Sequence, residues 1–155
     1  MPKKQTIPNR DFIRVGTSKI HGHGVFAKRK IPKGTRIVEY CGDRILKDNL
    51  LSDFENGLTS LRYVLSLTDD IAIDGERNGN DARFINHCCQ PNCEVYIFDD
   101  IPYIYAMEEI PRWKEITFDY KLQSISSKKL TKKEKMKLYP CNCGAKKCRG
   151  TLIVQ

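Results

Sequence analysis

The chain has 155 residues, 40% of them apolar and 30% charged, with 27 Lys+Arg against 19 Asp+Glu and a net charge of +8. That length supports one domain with a real core and not two, and the positive excess favours a partner that is acidic or lies beside nucleic acid. No apolar run approaches the ~20 residues of a membrane helix, and the opening Met1-Pro2-Lys3-Lys4-Gln5 has no apolar stretch of the kind a secretory signal needs, so an intracellular protein with no membrane partner is expected.

Taken in chain order, the pattern predicts a mostly β fold with short helices. Strands at 13–15 and 25–27 flank a glycine turn, Ile20-His21-Gly22-His23-Gly24. A turn at Pro32-Lys33-Gly34 leads into a half-buried strand over 36–40. Leu50, Leu51, Phe54 and Leu58 recur at spacings of three and four, which predicts a helix over 46–61. Short strands at 63–67 and 71–73 surround an Asp69-Asp70 turn. Residues 94–98 and 101–107 read as a hairpin turning at Asp99-Asp100, with Pro102 at an edge position because proline cannot donate to a ladder. One more strand is expected over 115–120, then a basic helix over 128–138 with Leu130, Glu134 and Leu138 at helical spacing.

Two blocks hold six of the seven cysteines. The first reads Asn86-His87-Cys88-Cys89-Gln90-Pro91-Asn92-Cys93, and the second is the C-x-C-x4-C triad Cys141, Cys143, Cys148. Thiols inside a cell stay reduced, and an odd number argues against a pure disulfide framework. Clustered thiolates there point to a metal, and a structural zinc wants four tetrahedral ligands. The triad supplies three. The fourth comes from Cys88, Cys89 or Cys93, and spacing does not choose among them; an exposed redox triad is the competing reading.

Residues 121–137 carry seven lysines and one acidic residue, Glu134. This run is either a solvated helix face or a surface for non-specific nucleic-acid contact, and with few aromatics in it base stacking is not suggested.

The order Ile20-His21-Gly22-His23-Gly24-Val25-Phe26, Arg83-Phe84-Ile85-Asn86-His87, Glu115-Ile116-Thr117-Phe118-Asp119-Tyr120 and Cys141-x-Cys143-x4-Cys148 resembles the SET-domain protein lysine methyltransferases over nearly the whole chain, with Tyr63 and Asp74-x4-Gly79-Asn80 filling the expected gap. The last element is similar to the post-SET zinc module, and with no cysteine-rich run among residues 1–20 the sequence resembles a minimal SET plus post-SET unit. The resemblance implies small antiparallel sheets over 11–122, a basic linker or helix at 123–138 and a zinc-bound post-SET segment at 139–155.

It also implies transfer of a methyl group from S-adenosylmethionine to a lysine ε-amine of a protein substrate, such as a histone tail. Tyr120 would be the catalytic tyrosine, with Tyr63 and Phe118 beside it. His21, Gly22, His23, Gly24, Tyr63, Asn86, His87 and Asn142 would hold the cofactor. The zinc would sit on Cys89, Cys141, Cys143 and Cys148, although the family usually has serine where this chain has Cys88. Phe118, lacking a hydroxyl, suggests di- or trimethylation. The protein would be nuclear if its substrate is chromatin, and otherwise cytoplasmic or delivered to another cell. Two other classes compete. A silent SET-like module that only binds lysine tails would be free to lose Tyr120 and Asn86-His87. A small zinc-dependent nucleic-acid binder would leave both unexplained.

Overall fold

The computed structural model describes residues 11–122 and 129–154. Its strands are β1 (Ile13–Thr17), β2 (His23–Ala27), β3 (Arg36–Glu39), β4 (Asp43–Leu46), β5 (Val64–Ser66), β6 (Ile71–Asp74), β7 (Asn86–His87), β8 (Cys93–Phe98), β9 (Ile101–Ala106) and β10 (Glu115–Phe118). Two short helices, α1 (Leu50–Glu55) and α2 (Lys132–Leu138), complete it. Among the described residues no helix is long and apolar enough to cross a membrane.

The larger sheet runs β1-β2-β10-β8-β9-β3, with β7 beside β10, and the smaller runs β4-β6-β5. Pairing is antiparallel except where β10 runs parallel to β7 and β8. The two strands expected to flank the glycine turn pair as the β1–β2 hairpin, with Val15 opposite Val25. β8 and β9 form the second hairpin, and Asp99 and Asp100 both take positive φ at its tip, as a tight two-residue turn requires. Val25, Ile31, Ile85, Ile104, Ile110 and Ile116 are almost fully buried and form the centre of the core. Burial of each such side chain contributes about 1.5–3 kcal/mol.

Four expectations need correction. The helix predicted over 46–61 is only Leu50–Glu55, because Leu46 belongs to β4, a 3-10 turn covers Lys47–Asn49, and the chain leaves the helix at Gly57 with φ +72°. Its apolar spacing was helical but has no core to face: Leu51, Phe54 and Leu58 are all about half exposed. Pro102 is buried, and β9 is an inner strand between β8 and β3. The proline is tolerated because β3 has ended there, and its carbonyl still accepts from Tyr40 N–H at 2.9 Å. The strand predicted to reach Tyr120 stops at Phe118, since Tyr120 N–H turns to the His87 ring. The basic helix starts later than 128, which lies outside the described residues with 123–127. Thr131 caps it, accepting from Glu134 N–H while the Glu134 carboxylate accepts from Thr131 N–H at 2.7 Å.

The tail folds back on the domain through short backbone pairings. Cys141 N–H donates to Gly150 O, Leu152 N–H to Tyr139 O, and Val154 N–H to Leu122 O. Thr151 and Ile153 are buried by this packing.

Candidate functional site

The glycine turn between β1 and β2 is built around Ser18. Its N–H donates to Gly22 O at 2.8 Å and its hydroxyl donates to Glu115 Oε1 at 2.7 Å. Gly22 has φ +43° with open space where a side chain would stand, so backbone there is accessible to a ligand. At Gly24 the demand is steric: a Cβ would lie 2.3 Å from Glu115 Oε1.

The buried Asn86 joins three distant parts of the sequence. Its Nδ2 donates to His21 O at 3.1 Å, His23 O at 2.9 Å and Glu115 Oε1 at 3.0 Å. The amide nitrogen thus holds the glycine turn against β10. Asn92 reinforces the same strand, donating to Glu115 O and accepting from Thr117 N–H.

Next to Asn86, the His87 ring is nearly fully buried. Its Nδ1 accepts from Tyr120 N–H at 3.0 Å, which leaves the proton on Nε2, 3.3 Å from Cys89 Sγ. Burial lowers its pKa, which keeps the ring neutral. Tyr120 packs its ring against His87 at 5.3 Å and Phe118 at 5.0 Å, and its hydroxyl donates to Ile85 O. Tyr63 stacks edge-on to Phe84 at 5.8 Å, and Phe84 in turn meets His23 at 5.7 Å. Tyr40 fixes Tyr63 from below, donating to its carbonyl at 2.8 Å. Burial raises the pKa of both Tyr40 and Tyr120, so each phenol keeps its proton.

The sulfurs of Cys89, Cys141, Cys143 and Cys148 all lie within 4.8 Å of one another. Cys89 Sγ stands 3.7 Å from Cys141 Sγ and 3.9 Å from Cys148 Sγ. A tetrahedral ion with bonds of about 2.3 Å to sulfur needs edges near 3.8 Å, so this donor set fits a metal such as zinc. Cys88 instead donates to Gln90 O, and Cys93 is buried in β8 opposite Ala106. Burial opposes charge on Cys143, but the N–H groups of Cys89 and Ala145 and the neighbouring thiols hold its pKa down to about 6. Burial pushes the Cys89 and Cys141 thiols up, and a cation among the four would offset that cost.

Two further ties bind this tail beside Tyr120. Arg149 makes a bidentate ion pair with Asp119, at 2.8 and 3.0 Å, and Lys147 N–H donates to Gln90 Oε1 at 3.1 Å. A cavity of about 250 Å³ opens where Ile20 of the glycine turn, Cys88 and Cys143 meet.

The structure therefore brings together the backbone of residues 21–24, Tyr63, Asn86, His87, Phe118, Tyr120 and the cysteine cluster. The His21 and His23 side chains and Asn142 are exposed. Sequence reasoning missed Glu115, Tyr40, Asn92 and the Asp119–Arg149 pair as supports of the site. Glu115 opens the quoted Glu115–Tyr120 stretch, but nothing local signals a carboxylate that reaches across to the glycine turn and to β7.

A family model described as SET domain matches residues 22–121. The chain is 37% identical over 154 residues to Histone-lysine N-methyltransferase 2B of Homo sapiens, covering 93% of this chain and 5% of that protein. It is 33% identical over 150 residues to Histone-lysine N-methyltransferase trithorax of Drosophila melanogaster, covering 92% of this chain and 4% of that one. The chain thus spans about a twentieth of these relatives. Among solved structures it is similar to a humanized mutant of the Chaetomium thermophilum Polycomb Repressive Complex 2 bound to an inhibitor, with a TM-score of 0.62 and 26% identity over 70% of this chain and 14% of that one.

Proposed function

The chain belongs to the SET-domain family, and on that premise we propose that it is a protein-lysine methyltransferase acting on histone tails at chromatin. The observation that carries the reading is the convergence at Asn86, whose amide ties the glycine turn to β10 while the adjacent His87 ring accepts from Tyr120 N–H. Motifs that are separate in sequence meet at one place, and they are the motifs by which the chain resembles the methyltransferase family.

S-adenosylmethionine supplies the methyl group as a reactive sulfonium. The chain's part is to hold it and to prepare the amine. The backbone of Gly22 and Gly24, with His21, His23, Tyr63, Asn86, His87 and Asn142, would bind the donor. Tyr120 is the residue assigned to orient the acceptor: its phenol stays protonated and is held by Ile85 O, His87 and Phe118.

A free lysine amine has a pKa near ~10.4, so at neutral pH losing its proton costs roughly 4 kcal/mol. Desolvation among Tyr63, Phe118 and Tyr120 disfavours the ammonium and lowers that cost. Alignment of amine and methyl contributes most of the remainder.

The zinc assigned to Cys89, Cys141, Cys143 and Cys148 would be structural. Four thiolates leave no open position for water or substrate. Its contribution is placement, clamping the tail beside Tyr120 together with Arg149.

Transfer of radiolabelled methyl from S-adenosylmethionine to core histones, followed by mass spectrometry of the acceptor, tests the reading. Label on a lysine ε-amine is the expected result. Tight binding of lysine tails with no transfer would leave the silent module.

A further inference from the structure

Residues 111–114 form a tight turn that leads into Glu115, closed by Lys114 N–H to Pro111 O at 3.1 Å. Its third residue, Trp113, has φ +70°. That is the left-handed conformation a type II turn normally reserves for glycine, and a bulky side chain there is an outlier that asks for a reason. The turn is pinned to β2 by Trp113 N–H to Ala27 O at 2.7 Å, while the residue stays 50% exposed.

The surroundings are basic and aromatic. The Arg112 guanidinium lies 4.5 Å from the indole centroid and that of Arg14 lies 6.0 Å from it. Trp113 lines a cleft of about 210 Å³ with Arg14, Val15, Gly16, Thr17 and Phe26. Gly16 leaves the Phe26 ring uncovered, since even a Cβ there would stand 3.3 Å from it. Among the described residues, the exposed Arg14 and Arg112 have no carboxylate within ion-pair distance.

We propose that this cleft binds single-stranded nucleic acid, with a base stacked on Trp113 and the flanking phosphates on Arg14 and Arg112. An indole offers every base a π-face, and interleaved cations supply the sequence-independent attraction to phosphate. An acidic peptide would use the arginines but give the strained, exposed indole no role. A duplex keeps its base faces stacked and cannot present one to the ring. The lysine-rich segment near α2, by contrast, has charge without rings.

Trp113 is the only tryptophan, so its fluorescence reports on this cleft alone. The test titrates the full chain with an oligothymidylate of about 12 nucleotides, following indole emission and the anisotropy of a labelled strand together. Quenching that tracks binding is expected, and Trp113→Gly should weaken binding at least fivefold. That variant places glycine where the turn favours it, so misfolding does not explain a loss. Arg14→Ala with Arg112→Ala should reduce the salt slope by roughly 0.7 per lost phosphate contact. Strand binding without quenching, or unchanged affinity in Trp113→Gly, overturns the proposal in favour of the lysine segment. Equal quenching by polyglutamate or by duplex of the same length also overturns it, leaving a general anion surface.

Discussion

Tyr120 donates its backbone N–H to Nδ1 of His87 at 3.0 Å, and through the same ring it is linked to Cys89. The tyrosine assigned to the reacting centre is therefore held by a group that also contacts a metal ligand. Its own hydroxyl is fixed separately, on Ile85 O. Tyr120→Phe removes only that hydroxyl and keeps the ring contacts to His87 and Phe118. Turnover should fall at least tenfold, about 1.4 kcal/mol in the barrier, with donor affinity nearly unchanged. Steady-state kinetics beside calorimetric titration of S-adenosylmethionine check this; wild-type turnover in the variant removes Tyr120 from the catalytic role.

The metal prediction follows from the sulfur geometry. Purified protein should carry one zinc per chain, and Cys148→Ser or Cys89→Ser should lose it. Cys41→Ser should keep it, because Cys41 lies outside the cluster. Zinc content by elemental analysis decides. Full zinc in Cys89→Ser would move the fourth ligand to another thiol.

The hairpins, the glycine turn and the order of the motifs were legible because each is local: alternation, turn residues and spacing lie within a few positions. What stayed hidden was long-range. Nothing near Glu115 shows that Ser18 and Asn86 will bond its carboxylate, and nothing near Arg149 shows that Asp119 awaits it. Spacing alone left Cys89 level with Cys88 and Cys93, and only the resemblance singled it out; the fold brings its sulfur to the triad. The overlong helix failed for the opposite reason. Helical spacing at Leu50, Leu51, Phe54 and Leu58 was real, but strand pairing of Leu46 with Ile71 claimed its start.

The Asp119–Arg149 pair predicts a separable contribution to the tail. Arg149→Ala should leave zinc content intact, since no ligand is removed, while raising the KM for S-adenosylmethionine or lowering kcat severalfold. The pair is part-buried and bidentate, a geometry stronger than an ordinary surface pair. Limited proteolysis within residues 139–154 should quicken in parallel. Unchanged kinetics and proteolysis would mean the cluster alone holds the tail.

The raised pKa values of Tyr40 and Tyr120 set the alkaline behaviour. A phenol whose folded pKa lies above its unfolded value contributes stability that is full below about pH 10 and is lost as pH rises through the folded value. Activity at low substrate should accordingly climb between about pH 7 and 9 as the substrate amine deprotonates, with no downturn from Tyr120 in that window. A descending limb in wild type that disappears in the residual activity of Tyr120→Phe would contradict this assignment.

Product multiplicity rests on Phe118, a buried residue whose ring lies 5.0 Å from that of Tyr120. A tyrosine at this place would present a hydroxyl able to hold a water in the space a second or third methyl needs. Phenylalanine has no donor or acceptor to hold that water, so a methylated amine is free to rotate and react again. Wild type should therefore reach the di- or trimethyl state, and Phe118→Tyr should shift product toward monomethyl. The added oxygen must be accommodated beside His87 and Cys93, the register partners of Phe118, so a stability measurement belongs with the assay. Intact-mass analysis of a methylated peptide under excess S-adenosylmethionine reads the outcome directly. Wild-type enzyme that stops at one methyl shows that another wall of the channel, and not the missing hydroxyl, sets the limit.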